Sequence, residues 1–495
     1  MNSHQSAIPR RITQNAILIA LVMGLIVHHL MDTPGVGLNL PLSVLTLILG
    51  LRVMAQLNRI PARGPGQPLL WTALLFSLTF VWQDSTVLHL LNGFALLVCL
   101  SLALPTFREG RLARGGVFHY VVMWVGSALS VFVGALLLIS ETRWTREKTE
   151  PSTSSGRNAA LLRGVVITVP VLLVFTLLLR SADAAFNSLL DGLFSWNLSA
   201  FLVQVPGILG TAYLALGSMH LSLLNTPLPE PAGDLRTMVR LGWTESSMLL
   251  SALTVLFVAF IGVQFAYFFG GQDQITALTG LTYAEYARKG FFEMIFTATL
   301  MLGLLLLVYR LQDSKVHLLL LYKGLNLTLI LCVLVMLLSA WKRMMLYVST
   351  YGQTEDRLLT LIFMVWVGLV LVWFMVMLFQ KTYDRFTFGS IVLGLVLIAG
   401  MNFLQPTRII VQTNLNRELP LSPEDWSHFR RLGADAAPLV LPRLQNAPNC
   451  RTVLESWQQD LAEKQDWRSW NVRRSQATEQ MDAAGDVCAR EPDPS

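Results

Sequence analysis

The sequence predicts an all-α protein: a polytopic transmembrane helical bundle of about 11–12 spans followed by a small helical soluble C-terminal tail. Three observations carry this. Hydrophobic types make up 53% of the 495 residues, and mean hydropathy is +0.53. Charged residues are 14% of the chain, against about 25% in soluble domains. The deficit is also uneven: long apolar runs fill residues 1–404, and ordinary charge and proline content returns over 405–495. The runs are continuous, whereas a transmembrane β-barrel would alternate apolar and polar residues.

A bilayer core of roughly 30 Å needs about 20 apolar residues in a helix. Eleven segments meet or approach this: 12–31, 37–55, 68–83, 86–104, 160–179, 198–223, 246–270, 290–309, 316–340, 358–380 and 386–404. The first follows Arg10 and Arg11 and runs into His28, His29 and Asp32 with no small-residue cleavage site, so it reads as a retained span. A twelfth apolar stretch, 117–140, decides the orientation of everything after it. Lys and Arg accumulate in cytoplasmic loops. If 117–140 does not cross, nineteen Lys and Arg fall on the side of the N-terminus and six on the other. If it crosses, the split is fourteen to eleven and the bias disappears. We therefore expect eleven crossings, with 117–140 lying along the interface or dipping in and returning at Gly126-Ser127, and a tail outside the cytoplasm.

In the tail, Ser422-Pro423-Glu424-Asp425 combines an N-cap serine, proline at the first helical position and early acids. Residues 450–464 place Val453, Leu454, Trp457 and Leu461 on one face, and a second helix is expected over 467–483 with Trp467 and Trp470 packed against the first. Such a hairpin brings Cys450 near Cys488. A disulfide there suits an oxidising compartment, and two separate thiols are the other reading.

Four polar clusters interrupt or follow the apolar runs, all on the predicted outer side: Arg180–Asp183, Leu281–Glu293, Arg343–Arg357 and Asn414–Asp435. The residues singled out are Arg180, Asp183, Tyr283, Glu285, Tyr286, Arg288, Glu293, Arg343, Tyr347, Tyr351 and Arg357. Glu285 and Lys289 form a favourable i, i+4 pair, and Tyr347 and Tyr351 share a face. An ordinary helix-end ion pair accounts for the first cluster, and a helix lying on the membrane surface accounts for the second. Lys323 lies seven residues into its span, within snorkelling reach of the near interface.

The run LTYAEYARKGFFE at 281–293 resembles the hallmark of a bacterial membrane-protein family of unknown function, DUF4173, related to DUF4153-type proteins. RSADAAF at 180–186, RMMLYVSTYGQTEDR at 343–357, RLGADAAPLVL at 431–441 and DWRSWN at 466–471 are similar to the same pattern. The likeness extends over about 160–475, with a family-like membrane core at 160–404, and departs at Ser349, where the family often carries an acid. It implies a multi-pass protein of a bacterial inner membrane and brings no activity with it.

No phosphate-binding loop, G-x-S-x-G, H-E-x-x-H or kinase signature is present, and no C-x-x-C pair. Basic residues flank the apolar runs and form no clustered face, which argues against nucleic acid. No cofactor or metal is expected: His28 and Asp32 share a helix face, but two ligands do not make a site. Three readings follow. The first is an envelope protein that binds a partner protein or ligand at its extracytoplasmic face. The others are a transporter or channel using Lys323 or Glu293, and a membrane-embedded enzyme acting on a lipid-linked substrate through Asp183, Glu285, Tyr351 and Arg357. Besides the lipid bilayer no partner is specified, and the oligomeric state is left open.

Overall fold

The computed structural model describes residues 8–110, 112, 116–142, 198–224, 241–269, 291–312, 320–380, 385–417, 421, 423–444, 450–462, 466–484 and 488. The apolar runs form α1 (Arg10–Met31), α2 (Asn39–Leu57), α3 (Gly66–Trp82), α4 (Thr86–Ala103) and α5 (Val117–Glu141). After these come α6 (Leu198–Met219), which ends in a π turn at His220–Leu224, α7 (Trp243–Phe269), α8 (Phe291–Leu311), α9 (Leu320–Tyr351), α10 (Glu355–Gln380) and α11 (Phe386–Leu404). Ten of the described helices are long and apolar enough to cross a membrane, and α3 is a shorter apolar helix. The protein is thus an all-α, multi-pass membrane protein. The span expected at 160–179 lies outside the described residues.

Two clusters organise the bundle. One joins α1 to α6 through Ala16, Met23, Ile48, Leu51, Ala73, Ala95, Leu216 and Met219. The other joins α7 to α10 through Leu250, Ala298, Leu305, Leu329, Val333, Val367 and Phe374. Because lipid is as apolar as these side chains, close packing and interhelical hydrogen bonds supply the association. Gly24 of α1 shows this: a Cβ there would lie 2.6 Å from that of Ala212, and Thr211 Oγ1 donates to the Gly24 carbonyl at 2.9 Å. Asn92 of α4 and Asn402 of α11 exchange amide hydrogen bonds at 2.9 Å.

Length and composition would let α5 cross, its middle packs on Tyr213 and Gly217 of α6, and the partners of its two termini belong to one end of the bundle. Near its start, Tyr120 and Met123 pack with Leu69, Val98 and Leu102, which lie at the start of α3 and the end of α4. Ser127 donates to the carbonyl of Ser101 in the last turn of α4. Beyond Phe132, whose carbonyl accepts from Tyr213, the chain reaches Glu141, where the Ile8 N–H donates at 3.0 Å, and Thr142, whose hydroxyl meets Thr13 of α1 at 2.7 Å. The start of α1, the start of α3 and the end of α4 share one end, so both termini of this unbroken 25-residue helix contact the same end of the bundle.

Helix α9 is longer than the span expected at 316–340. Its 32 residues correspond to about 48 Å at 1.5 Å per residue, well beyond a bilayer core. Met344 and Val348 continue the buried stripe, so the Arg343–Tyr351 stretch, a polar cluster beyond the expected span with Tyr347 and Tyr351 on one face, is the projecting last turns of the same helix.

The chain then turns at Gln405, in the left-handed region (φ 51°), and Pro406 opens α12 (Pro406–Leu415). There follow α13 (Pro423–Arg431), a 3-10 turn at Ala434–Ala436, α14 (Ala437–Leu444), α15 (Cys450–Ala462) and α16 (Val472–Ala484). Trp426, Phe429, Val440, Leu444, Leu454, Trp457 and Met481 form their shared core. The Cys450 and Cys488 sulfurs are bonded, with the Cα atoms 5.7 Å apart. We call residues 406–488 the cap.

The expected helix at 467–483 is corrected at its start. Asn471 Oδ1 accepts the N–H groups of Arg473 and Arg474, an N-cap that begins α16 at Val472. Residues 466–471 are a loop with a turn in which the Trp470 N–H donates to the Trp467 carbonyl at 3.3 Å, and Trp467 and Trp470 stay exposed instead of packing on α15.

Candidate functional site

The cap sits on the end of the bundle where α1, α3, α9 and α11 finish, and the junction is where the polar chemistry collects. The α3–α4 turn, Gln83-Asp84-Ser85, is buried. Asp84 Oδ1 accepts from Arg474 Nε at 2.9 Å and Nη2 at 2.8 Å, while Oδ2 accepts the Ala434 N–H at 3.2 Å. Arg474 also donates to the carbonyls of Ser469 (3.0 Å) and Val36 (2.8 Å). One guanidinium therefore ties together the α1–α2 loop, the α3–α4 turn and the 466–471 loop. Both side chains of the pair are only 8% exposed.

Backbone pairing reinforces the tie. The N–H groups of Asn39 and Leu38 donate to the carbonyls of Arg468 (2.6 Å) and Trp470 (3.2 Å), and Asn471 Nδ2 donates to Phe80 and Gln83 at the end of α3. Arg468 grips Asp466 through Nε and Nη2, and reaches the His29 carbonyl at 2.6 Å. That grip holds the Asp466 carboxyl down at about 2. Asp435, beside Asp84, behaves oppositely: burial, with Asp84 nearby, pushes it up to about 6 against the opposing pull of Arg473 and Arg474. Burial and then Arg431 push His428 of α13 down.

The second anchor is the segment 347–357. Gly352 ends α9 at φ +81°, a backbone state that side chains disfavour, and a Cβ there would meet Asn414 Oδ1. Asn414 Oδ1 accepts the Gln353 N–H at 2.6 Å and its Nδ2 donates to the Gln353 carbonyl at 2.8 Å. Arg357 lies 4.3 Å above the Tyr347 ring and donates to the carbonyls of Tyr351 and Gly352, the orphan acceptors of the helix end. Tyr347 and Tyr351 pack with ring centroids 4.9 Å apart.

Of the residues chosen from sequence, Tyr347, Tyr351 and Arg357 thus come together, with half-buried Arg343 one turn below on the same helix. Glu293 is exposed in the first turn of α8; its neighbours Phe291 and Phe292, with Met344, Tyr347, Asp356, Arg357 and Thr360, line a cavity of about 310 Å³. Arg180, Asp183, Tyr283, Glu285, Tyr286 and Arg288 lie outside the described residues. Lys323 stands at the opposite end of the bundle, in the first turn of α9, with its ammonium 5.6 Å from the Phe379 ring. Sequence reasoning missed Asp84 and Arg474. The available signal was an acid isolated between two spans, in Gln83-Asp84-Ser85, and an arginine just after a motif already singled out.

A family model described as "Domain of unknown function (DUF4153)" matches residues 70–441. The chain belongs to the DUF4153 family. The match begins well before residue 160, where the sequence resemblance started, and the DUF4173 family named there is not the one matched. Within this DUF4153 protein the matched region holds Asp84, the Arg343–Arg357 segment and Asp435, whereas Arg474 and the 466–471 loop follow it. No curated protein and no solved structure matches the chain.

Proposed function

We propose that this DUF4153 protein is a non-enzymatic, multi-pass protein of a bacterial inner membrane whose capped end faces away from the cytoplasm and binds an envelope partner or ligand. The observation that carries this is the placement of buried charge. Asp84 and Arg474 are the only Asp, Glu, Lys or Arg among the buried described residues, and they hold the cap onto the bundle. Ionisable groups at membrane depth mark transport pathways, and here Glu293 and Lys323 occupy opposite ends. Chemistry concentrated at one end favours recognition there over conduction through the helices. The finer kinship with DUF4173 rests on the five motifs quoted above.

The orientation is supported by the nineteen-to-six distribution of Lys and Arg and by a disulfide in the cap, which suits an oxidising compartment. Labelling intact spheroplasts with a membrane-impermeant maleimide tests it. Cysteine at Ser349 or Trp467 is expected to react from outside, and cysteine at Glu109 only after lysis. The reverse pattern would place the cap in the cytoplasm and remove the proposal. In a deletion strain with a measurable phenotype, Arg474→Ala should insert normally yet fail to complement.

A further inference from the structure

We propose that the crevice between cap and bundle binds a phosphate group, carried either by an anionic lipid headgroup or by a soluble phosphate. This rests on the reading of the capped end as a ligand-binding face and names the chemistry of its ligand. The crevice encloses about 310 Å³ and is lined by Asp84, Thr86, His89, Arg430, Arg431 and Arg474, among others. Its charges do not cancel. Arg474 is taken by Asp84 at 2.8 Å and Arg430 by Asp460 at 3.5 Å, the latter pair well exposed. Arg431 is the third guanidinium, and no carboxylate among the described residues lies within 4.0 Å of it.

The wall contributed by the bundle points the same way. Thr86 and His89 occupy the first turn of the 18-residue α4, whose N-cap residue, Ser85, makes no side-chain cap bond. The positive end of the helix dipole therefore opens on the crevice at Thr86, whose hydroxyl donates to the Arg431 carbonyl at 3.4 Å and so holds that arginine's backbone against α4. His89 is held against Phe80 at 4.8 Å, its Nε2 donating to the Gln83 carbonyl at 3.1 Å. A surplus guanidinium facing a helix N-terminus suits a tetrahedral oxyanion, because a guanidinium fork matches two phosphate oxygens. The crevice is bordered by Gly35 and Val36 after α1 and by Asp84 after α3, the ends of two apolar helices, within reach of a headgroup. A phosphate held there would bridge cap and bundle.

The test uses the full chain purified in a zwitterionic detergent. Native mass spectrometry with an equimolar mixture of phosphatidylglycerol and phosphatidylcholine reads lipid preference, and isothermal titration with inorganic phosphate reads the soluble source. We expect a preference for phosphatidylglycerol or measurable phosphate binding, reduced about tenfold or more in Arg430→Gln/Arg431→Gln and largely restored by the corresponding lysine pair. Lipid preference without phosphate binding identifies a headgroup, and phosphate binding alone identifies a soluble ligand. Protease resistance of the cap and retention of the Cys450–Cys488 bond verify folding; if the double variant fails these, Thr86→Val replaces it, with a reduction of about threefold expected. No discrimination for either probe, or binding unchanged in a folded variant, overturns the proposal. The capped-face reading fails separately, through the orientation and complementation experiments above.

Discussion

Bundle and cap bury their side chains by different rules. Between α7 and α10 the interior is Leu, Val, Met, Ala and Phe, with Leu329, Val333, Val367 and Phe374 fully enclosed, and the polar groups that enter are neutral, such as Asn326, whose amide returns to the Tyr322 carbonyl of its own helix. At the cap junction a carboxylate and a guanidinium are enclosed together, and the backbones of two turns are pinned by asparagines. The bundle is shaped by lipid, which rewards packing and penalises charge. The junction, at the edge of that zone, uses directional bonds to fix one orientation of a small helical unit. Substitutions at the junction should therefore loosen the cap while leaving the spans in place.

The largest effect is expected from Arg474→Ala. It leaves Asp84 enclosed without its cation, a loss of about 3–5 kcal/mol. Hydrogen exchange should rise across 406–488 and in the 32–38 loop with little change in α7–α10. Asp84→Leu/Arg474→Met should recover most of that loss, because an apolar pair of similar size needs no desolvation compensation. Recovery would assign the pair to orientation; continued exposure of the cap would assign it to stability as well.

Next comes Cys450→Ser. Opening a loop closed across a sequence separation of 38 should lower cap stability by about 2–4 kcal/mol, read as its protease half-life. The reduced wild-type protein should match the variant. Asn414→Ala strips both partners from the buried Gln353 backbone and should cost about 1–3 kcal/mol. Proteolysis at the α9–α10 turn reports this loss while the Asp84 junction stays protected.

Asp435→Asn sharpens the comparison in the opposite direction. The folded carboxyl titrates at about 6 and its reference value is 3.8, so between these values the folded state binds the extra proton and stability falls as pH rises. At pH 7 the ionised group works against the cap. Its replacement by Asn should stabilise the cap by about 1–2 kcal/mol at that pH. The gain should fade as pH drops through 6 toward 4, and thermal melts of cap fluorescence from pH 4 to 8 would show it. The smallest effect is expected from Arg357→Lys, under about 1 kcal/mol, since an ammonium keeps part of the contact with Tyr347 and loses the fork on the helix end.

Much of the bundle was legible because a bilayer makes a long apolar run unambiguous: α1, α2, α4, α10 and α11 lie within a few residues of their expected bounds. The end of α9 was legible only in part: Tyr347 and Tyr351 share a face and Gly352 ends their turn, but local spacing does not show that this turn continues the span expected to end at 340. In the tail, the apolar spacing of α15 was readable, whereas the 466–471 loop was misassigned as helix. Its two tryptophans have helical spacing, but the Asn471 cap and backbone bonds to the α1–α2 loop prevailed.

Sequence by itself determined the class of molecule, the place of most spans and, through the lopsided distribution of Lys and Arg, an expected orientation, since each depends only on composition along the chain. Tertiary structure alone decided that both termini of α5 meet one end of the bundle, that Tyr347, Tyr351 and Arg357 meet, and that Asp84 finds Arg474 across 390 residues. Contacts between distant segments depend on which helix ends share a level, and local spacing carries no record of that.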